Sequence, residues 1–387
     1  MSKSAGGEHV PLAGGFLPLT EDSPSMTTPH RAASPPPRGF WAEAWNRYRR
    51  MPLAMGGLAF VGLLGAIAVL APAIAGTKPV VCRYKGRIYA PCLAYYNRAW
   101  EPVVFATDKF RGEYPRNLRE KDPESWAVWP LVFQDPYRAV RADEWPGLPG
   151  NPARDEGRPS RRNLFGTTQA GVDVFAKMVH GTLVALLVGF VSMGIAATIG
   201  ITVGALAGYF GGWVDAVVSR ATEVVMCVPS LILILALLAI VEKPTIWKMM
   251  AVLGLTGWTG ISRLMRGEFL RLKSAEFVTA ARAVGAGPGR IILRHVLPNA
   301  LAPVMVPITF GIAAAILTES GLSFLGFGQP PPSASWGSLL NDARSNLKMW
   351  WLVFFPGLAI FLTVLAFNLV GEGLQKATDP RLREARK

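Results

Sequence analysis

Residues 276–303 read EFVTAARAVGAGPGRIILRHVLPNALAP, and this stretch decides how the rest of the chain is read. Glu276 to Val284 holds good helix formers and no breaker. Gly285-Ala286-Gly287-Pro288-Gly289 then forces a corner, because glycine tolerates positive φ and proline cannot continue a helix. Arg290 to Val296 can be helical again, up to Leu297, which precedes Pro298 and is biased to extended geometry. The spacing predicts a short helix, a sharp corner and a second helix. Such a shape is a knob for another protein to grip.

The knob lies among apolar runs. Of 387 residues 51% are hydrophobic and only 17% charged, against about 25% charged in soluble domains. The formal charge is +14. Charge-free or nearly charge-free runs occur at 53–75, 182–210, 224–241, 246–261, 301–325 and 349–370. The first has 23 residues, roughly 34 Å as a helix, enough for a hydrocarbon core of about 30 Å. These runs exclude a soluble enzyme and a disordered regulator, and they are too long and continuous for barrel strands. The expectation is an all-α polytopic membrane protein with six transmembrane helices.

Charge orients it. Arg47, Arg49 and Arg50 precede the first run, which puts the N-terminus in the cytoplasm. The loop 263–299 carries seven Lys or Arg against Glu268 and Glu276, and the tail after Val370 is also basic. Both fall on the cytoplasmic side of a six-span topology. The outer turn Glu242-Lys243-Pro244 is neutral. The basic excess therefore reads as topology, with no nucleic-acid partner.

The remaining segments divide accordingly. Residues 1–38, rich in proline, are expected to be a disordered cytoplasmic N-terminus. Residues 39–76 hold FWAEAWNRYRR, either an amphipathic surface helix or a basic flank, and then the first span. Residues 77–172 are polar, rich in Trp and Pro, and are expected to form an ordered extracytoplasmic insert between the first and second helices. Residues 173–373 hold five further spans and the loop 263–299, and 374–387 form a cytoplasmic tail.

The motifs now fall into register. Ala280-Ala281, Gly285 and Leu297-Pro298 resemble the EAA loop of permease subunits in ATP-binding-cassette (ABC) importers. His295-Val296-Leu297-Pro298-Asn299 is similar to the ending found in the dipeptide and oligopeptide branch. Phe165-Gly166-Thr167 with Gly171 and Asp173 resembles that branch's LGT-D-x-x-G-R-D motif. Gly208 to Asp215 resembles GYYGGWVD, and Leu317-Thr318-Glu319 with Leu322 to Gly328 resembles LTE…LSFLGLG. The opening of the insert, Lys78 to Tyr84, with Tyr89, Pro91, Trp126 and Trp129, looks like the enlarged outer loop of the Yej-type peptide permeases. There are departures: Thr279 stands where the family prefers Glu, with Glu276 three residues earlier, and Thr168 and Val172 replace Asp and Arg of the LGTDxxGRD pattern.

The resemblance implies a type I ABC importer permease fold and a C-type permease in the inner membrane of a bacterium. Its implied partners are a B-type second permease, two ATPase domains and an extracytoplasmic peptide-binding protein, besides the lipid bilayer. Glu276, Thr279, Ala280, Ala281, Gly285, Leu297 and Pro298 would form the ATPase-coupling loop. No GxxxxGK[ST] stretch occurs, so no cofactor is expected in this chain and no enzymatic activity of its own; ATP and Mg belong to the ATPase subunits. Nickel, glutathione and other solute importers share the motifs, and a membrane-anchored scaffold or binding protein is the rival outside transport.

Other residues carry two readings each. Glu319, a charge in an apolar run, is either a translocation-pathway contact or a hydrogen-bonded clasp between helices. Arg220 and Glu223 suit a local pair, and Asp215 a helix cap. Cys82 and Cys92 are either a disulfide or two thiols, and Tyr84-Lys85-Gly86-Arg87 reads as a hairpin turn. Cys227, in an apolar span, suits a small hydrophobe, His180 an interface and His295 a loop contact. No residue set has metal-ligand spacing.

Overall fold

The computed structural model describes residues 40–110, 113–145, 147–240, 245–330 and 332–378. The N-terminal segment 1–38 and the turn 242–244, read from the sequence as disordered and as neutral, lie outside the described residues. Trp41–Lys387 form one compact unit.

Helix α1 (Phe40–Tyr48) precedes α2 (Pro52–Ile74), which starts with proline in its first turn, where the missing N–H costs nothing. Ala44 and Tyr48 of α1 pack on Ala54 and Ala377, while Trp41 and Trp45 are exposed. The insert follows. It carries a small sheet beside its helices. Strands β1 (Val81–Tyr84), β2 (Arg87–Tyr89) and β3 (Trp126–Val128) form an antiparallel sheet in the order β2-β1-β3. The β1–β2 hairpin turns at Lys85 and Gly86, both at positive φ, which matches strand twist in a two-residue loop. Short helices α3 (Val103–Thr107) and α4 (Tyr114–Lys121) close over the sheet around Cys82, Tyr84, Phe105, Phe110, Tyr114 and Leu118. The aromatic density of the insert thus becomes a small core of its own.

Helix α5 (Val174–Phe210) begins two turns before the apolar run, because Asp173 accepts the Ala176 N–H at 2.8 Å as its N-cap. The next run is not one continuous helix. Helices α6 (Gly212–Cys227) and α7 (Ser230–Ile240) meet at 88°. Val228, preceding Pro229, adopts extended geometry and breaks the helix. Helix α8 (Ile246–Leu272) continues 11 residues beyond the predicted end at Ile261, so the loop 263–299 opens as helix.

Then come α9 (Glu276–Ala283), α10 (Pro288–Arg290), a π-helical turn (Ile291–Val296) and α11 (Leu297–Phe324). Leu297 is helical rather than extended, since Pro298 falls in the first turn of α11, where proline is tolerated. Helix α12 (Trp336–Arg344) and α13 (Trp351–Thr378) end the described chain; α13 takes in the first five residues of the predicted tail. By length and composition, four helical runs among the described residues can cross a membrane: α2, α5, 288–324 and α13. The bent α6–α7 pair makes a fifth if it is one span. The expected six is not reached by that criterion among the described residues: α8, which contains the predicted 246–261 run, does not meet it.

Helices α5 and α8 press together most extensively. A Cβ at Gly200 would lie 2.7 Å from the Trp258 carbonyl oxygen, and one at Gly208 would lie 2.7 Å from that of Arg266. Between them, Gly204 faces the Ser262 carbonyl. Glycines at i, i+4 and i+8 let two backbones touch, the small-residue packing of membrane helices. The core runs on through Met265, Phe269 and Leu272 of α8 to α11 and α13.

Candidate functional site

Helix α9 is set by its two ends. Glu276 lies in the first turn, where a carboxylate complements the helix dipole. At the other end the Gly285 N–H donates to Arg282 O at 2.9 Å and the Ala286 N–H to Ala281 O at 3.0 Å, with Gly285 at φ +85°. This is a glycine-terminated Schellman cap, and it fixes the corner.

The segment has two faces. Val278 of α9 is 0% exposed, and Ile291 and Val296 of the π turn join it in the core shared with α8 and α11. On the other face Phe277 is 40%, Val284 89% and Leu293 67% exposed. Arg282, Arg290 and Arg294 surround them, also exposed. Thr279, Ala280, Gly285 and Pro298 are exposed as well, while Ala281 and Leu297 are half-buried. The structure therefore brings the predicted coupling residues to one projecting segment. Motif matching missed the side chains with most apolar surface there, Phe277, Val284 and Leu293. Their signal was three large apolar residues in a stretch otherwise short and charged.

The segment is tied to the helices behind it. Lys273 Nζ, just before α9, donates to Gly208 O near the end of α5 at 3.1 Å, a cation at a helix C-terminus. Arg266 of α8 grips Asp215 of α6 with two parallel N–H groups, Nη2 to Oδ2 at 2.6 Å and Nε to Oδ1. Asp215 is thus half of an ion pair between helices, not the helix cap expected from its neighbours. Arg220 and Glu223 pair along α6 at 2.7 Å.

Between α6 and α8 opens a cavity of about 810 Å³, lined by Thr222, Glu223, Met226, Gly260, Arg263 and Leu264 among others. Glu319 is not part of it. Its side chain is buried, 2% exposed, and accepts the Ser323 hydroxyl at 2.7 Å and that of Ser320 at 3.4 Å. Ser335, buried ahead of α12, also hydrogen-bonds the carboxylate. This is a polar clasp within the chain. His180 Nε2 lies 2.8 Å from Ala75 O and so joins α5 to the end of α2. Beside it Thr77 and Tyr95 hydroxyls both donate to Asp135 Oδ2 at 2.9 Å within the insert, and the Tyr95 ring packs on that of His180 with centroids 5.0 Å apart. His295 contributes its carbonyl to Asn299 Nδ2.

Of the two readings of Cys82 and Cys92, the structure has the thiols. Cys82 and Cys92 are both buried free thiols, and Cys92 Sγ donates to Val80 O at 3.4 Å. Burial, and then the neighbouring Cys92, push the Cys82 thiol up to about 11. Cys227, read as a small hydrophobe in an apolar span, is the last residue of α6 and is exposed.

The comparisons place these membrane-length helices and their capped helical knob among the permease subunits of transport systems. Residues 200–384 match the family described as binding-protein-dependent transport system inner membrane component. Residues 39–97 match the N-terminal transmembrane domain of oligopeptide transport permease C. The chain is 43% identical over 226 residues to a protein described as a peptide permease in Brucella suis, covering 58% of this chain and 74% of that one. It is 38% identical over 234 residues to the dipeptide transport system permease protein DppC of Alkalihalophilus pseudofirmus, 60% of this chain and 77% of that one. It is 32% identical over 338 residues to the peptidoglycan transport system permease protein YejE of Agrobacterium fabrum, 82% of this chain and 87% of that one. This chain belongs to the peptide ABC transporter permease family, with the type I importer permease fold.

Proposed function

We propose that this chain forms half of the translocation pathway of an ATP-driven peptide importer and couples it to ATPase subunits through α9. The two-faced segment carries the reading. Val278, Ile291 and Val296 fix it to the core, while Phe277, Val284 and Leu293 are left for a groove on another protein. The partners are a second, B-type permease, two ATP-binding-cassette domains holding ATP and Mg, and an extracytoplasmic binding protein. The cavity between α6 and α8 is the share of the pathway this chain supplies. Relatives named for peptide, dipeptide and peptidoglycan transport support peptides, including wall-derived ones, over nickel or glutathione.

The orientation follows the charges. Residues 263–299 and both termini are cytoplasmic, and 77–172 form an outer lobe. ATP binding closes the ATPase pair, α9 moves as a rigid piece, and the helices rock between inward- and outward-facing states.

The test is co-expression with the candidate partner permease and ATPases, purification on a tag on this chain, and hydrolysis assays in lipid vesicles with binding protein and peptide. Co-purification and peptide-stimulated hydrolysis, both lost in a Phe277→Asp, Val284→Asp variant, are expected. A well-folded variant that still retains the ATPases would overturn the coupling role.

A further inference from the structure

We infer that the lobe 77–172 is seated in the outer leaflet, with Tyr96 capping a proline-freed carbonyl of α2 at bilayer depth and Leu93 and Leu131 against lipid. Pro72 interrupts α2. It has no N–H, so Ala68 O, four residues earlier, loses its helical partner. In hydrocarbon an unpaired carbonyl must find another donor. The Tyr96 hydroxyl supplies it, donating to Ala68 O at 3.3 Å and also to Val69 O. Ala68 is six residues before Ile74, the end of α2. At 1.5 Å per residue the hydroxyl therefore sits roughly 9 Å inside the helix end.

A second segment of the lobe is held closer to the end of the same helix. The Leu131 N–H donates to Ala73 O at 3.1 Å and the Val132 N–H to Ile74 O at 2.9 Å, so the chain runs alongside the last turn of α2. Leu131 is 85% exposed there, and Leu93, three residues before Tyr96, is 42% exposed. On α2 itself Val69 and Leu70 are exposed beside them. The apolar patch is thus continuous with the free surface of a membrane-length helix, and its depth is set by hydrogen bonds to that helix. Acyl chains, not water or a protein groove, are the occupant this placement fits.

The test is nitroxide accessibility in the full chain, reconstituted in vesicles with its partner subunits. Labels go at Leu93→Cys, Leu131→Cys and, as a reference on the open hairpin, Ile88→Cys, all with Cys227→Ser. Collision with oxygen reports lipid, and collision with a water-soluble nickel chelate reports solvent. The oxygen-to-nickel ratio at 93 and 131 is expected to exceed that at 88 several-fold. Ratios no higher than at 88 place the patch in water and overturn the inference. Labels shielded from both reagents overturn it too, by assigning the patch to a protein partner. Adding Tyr96→Phe keeps the ring and removes the donor. It is expected to lower the ratio at 131, and an unchanged ratio rules out the hydroxyl as the anchor.

Discussion

Asp215 and Arg266, 51 positions apart, form a two-point ion pair that joins the start of α6 to the C-terminal half of α8, with Nη2 and Oδ2 2.6 Å apart. Both side chains are partly exposed, so the pair contributes about 1 kcal/mol or less to stability. Its use is geometric, since the planar fork sets the angle between two helices that line the cavity. Arg266→Lys, which keeps the charge and loses the fork, is therefore expected to leave the melting temperature within a few degrees. Peptide-stimulated ATP hydrolysis in reconstituted vesicles should fall severalfold. The exchange Asp215→Arg with Arg266→Asp should recover part of it.

The corner at Gly285 calls for a different variant. Gly285→Ala puts a side chain at φ +85°, which costs on the order of 1 kcal/mol at a Schellman cap. The segment should fray locally while the core holds. Hydrogen exchange should show faster exchange confined to residues 280–287, and uptake should drop. Unchanged exchange there would refute the cap.

Close packing of α5 on α8 gives a paired comparison. Gly204→Val drives its side chain into the Ser262 carbonyl and the Met265 side chain. An overpacked core typically costs about 1–3 kcal/mol or more. Gly194, on the same helix, has open space around it, and Gly194→Ala should be silent. Thermal stability followed by size-exclusion chromatography separates the two. Equal stability would mean the helices do not touch at this stripe.

Acid should loosen the lobe 77–172 at a predictable point. Lys85 Nζ donates to Asp108 Oδ2 at 2.8 Å and the Tyr84 hydroxyl at 2.6 Å. These bonds, the lysine's first, hold the Asp108 carboxyl below the usual carboxylate range. A depressed folded value adds stability that is complete above the unfolded value, about 3.9, and is lost as pH falls through the folded one. Lobe stability should be insensitive to this group down to about pH 4, then decline below it. Asp108→Asn should remove that decline, as followed by tryptophan fluorescence.

The thiols should differ in reactivity. Cys227 is exposed, whereas Cys82 is buried and its thiol is pushed up to about 11. Maleimide at pH 7.5 should label Cys227 in detergent and leave Cys82 and Cys92 until the chain is denatured, when mass spectrometry should count two more adducts.

Local chemistry was legible in the sequence. Lys85-Gly86 announced its hairpin, and Gly285 its corner, because positive φ is a property of single residues. The Val228-Pro229 break was also printed there, but a count of uncharged residues measures transfer into lipid, not backbone continuity. Pro298 misled in the opposite direction: the π turn before it lets the helix start again, and proline is harmless in a first turn. The glycines at 200, 204 and 208 carried a packing signal that a hydropathy reading passes over. The partners of Asp215, Tyr96 and Glu319 were not legible locally. The first two lie 51 and 27 or 28 residues away. Those of Glu319 are one and four residues away, but whether a serine turns toward a carboxylate depends on the packing of α12.

Helix α8 runs unbroken for 27 residues, about 40 Å, and it is locked to α5 along a line where the two main chains meet. A shaft of that length and stiffness multiplies angle into distance. A tilt of about 5° imposed near α9 would carry the far end through roughly 3.5 Å, somewhat more than a water molecule's width. The transporter would then need no large hinge within this subunit. Opening or sealing the route between subunits would be a matter of leverage.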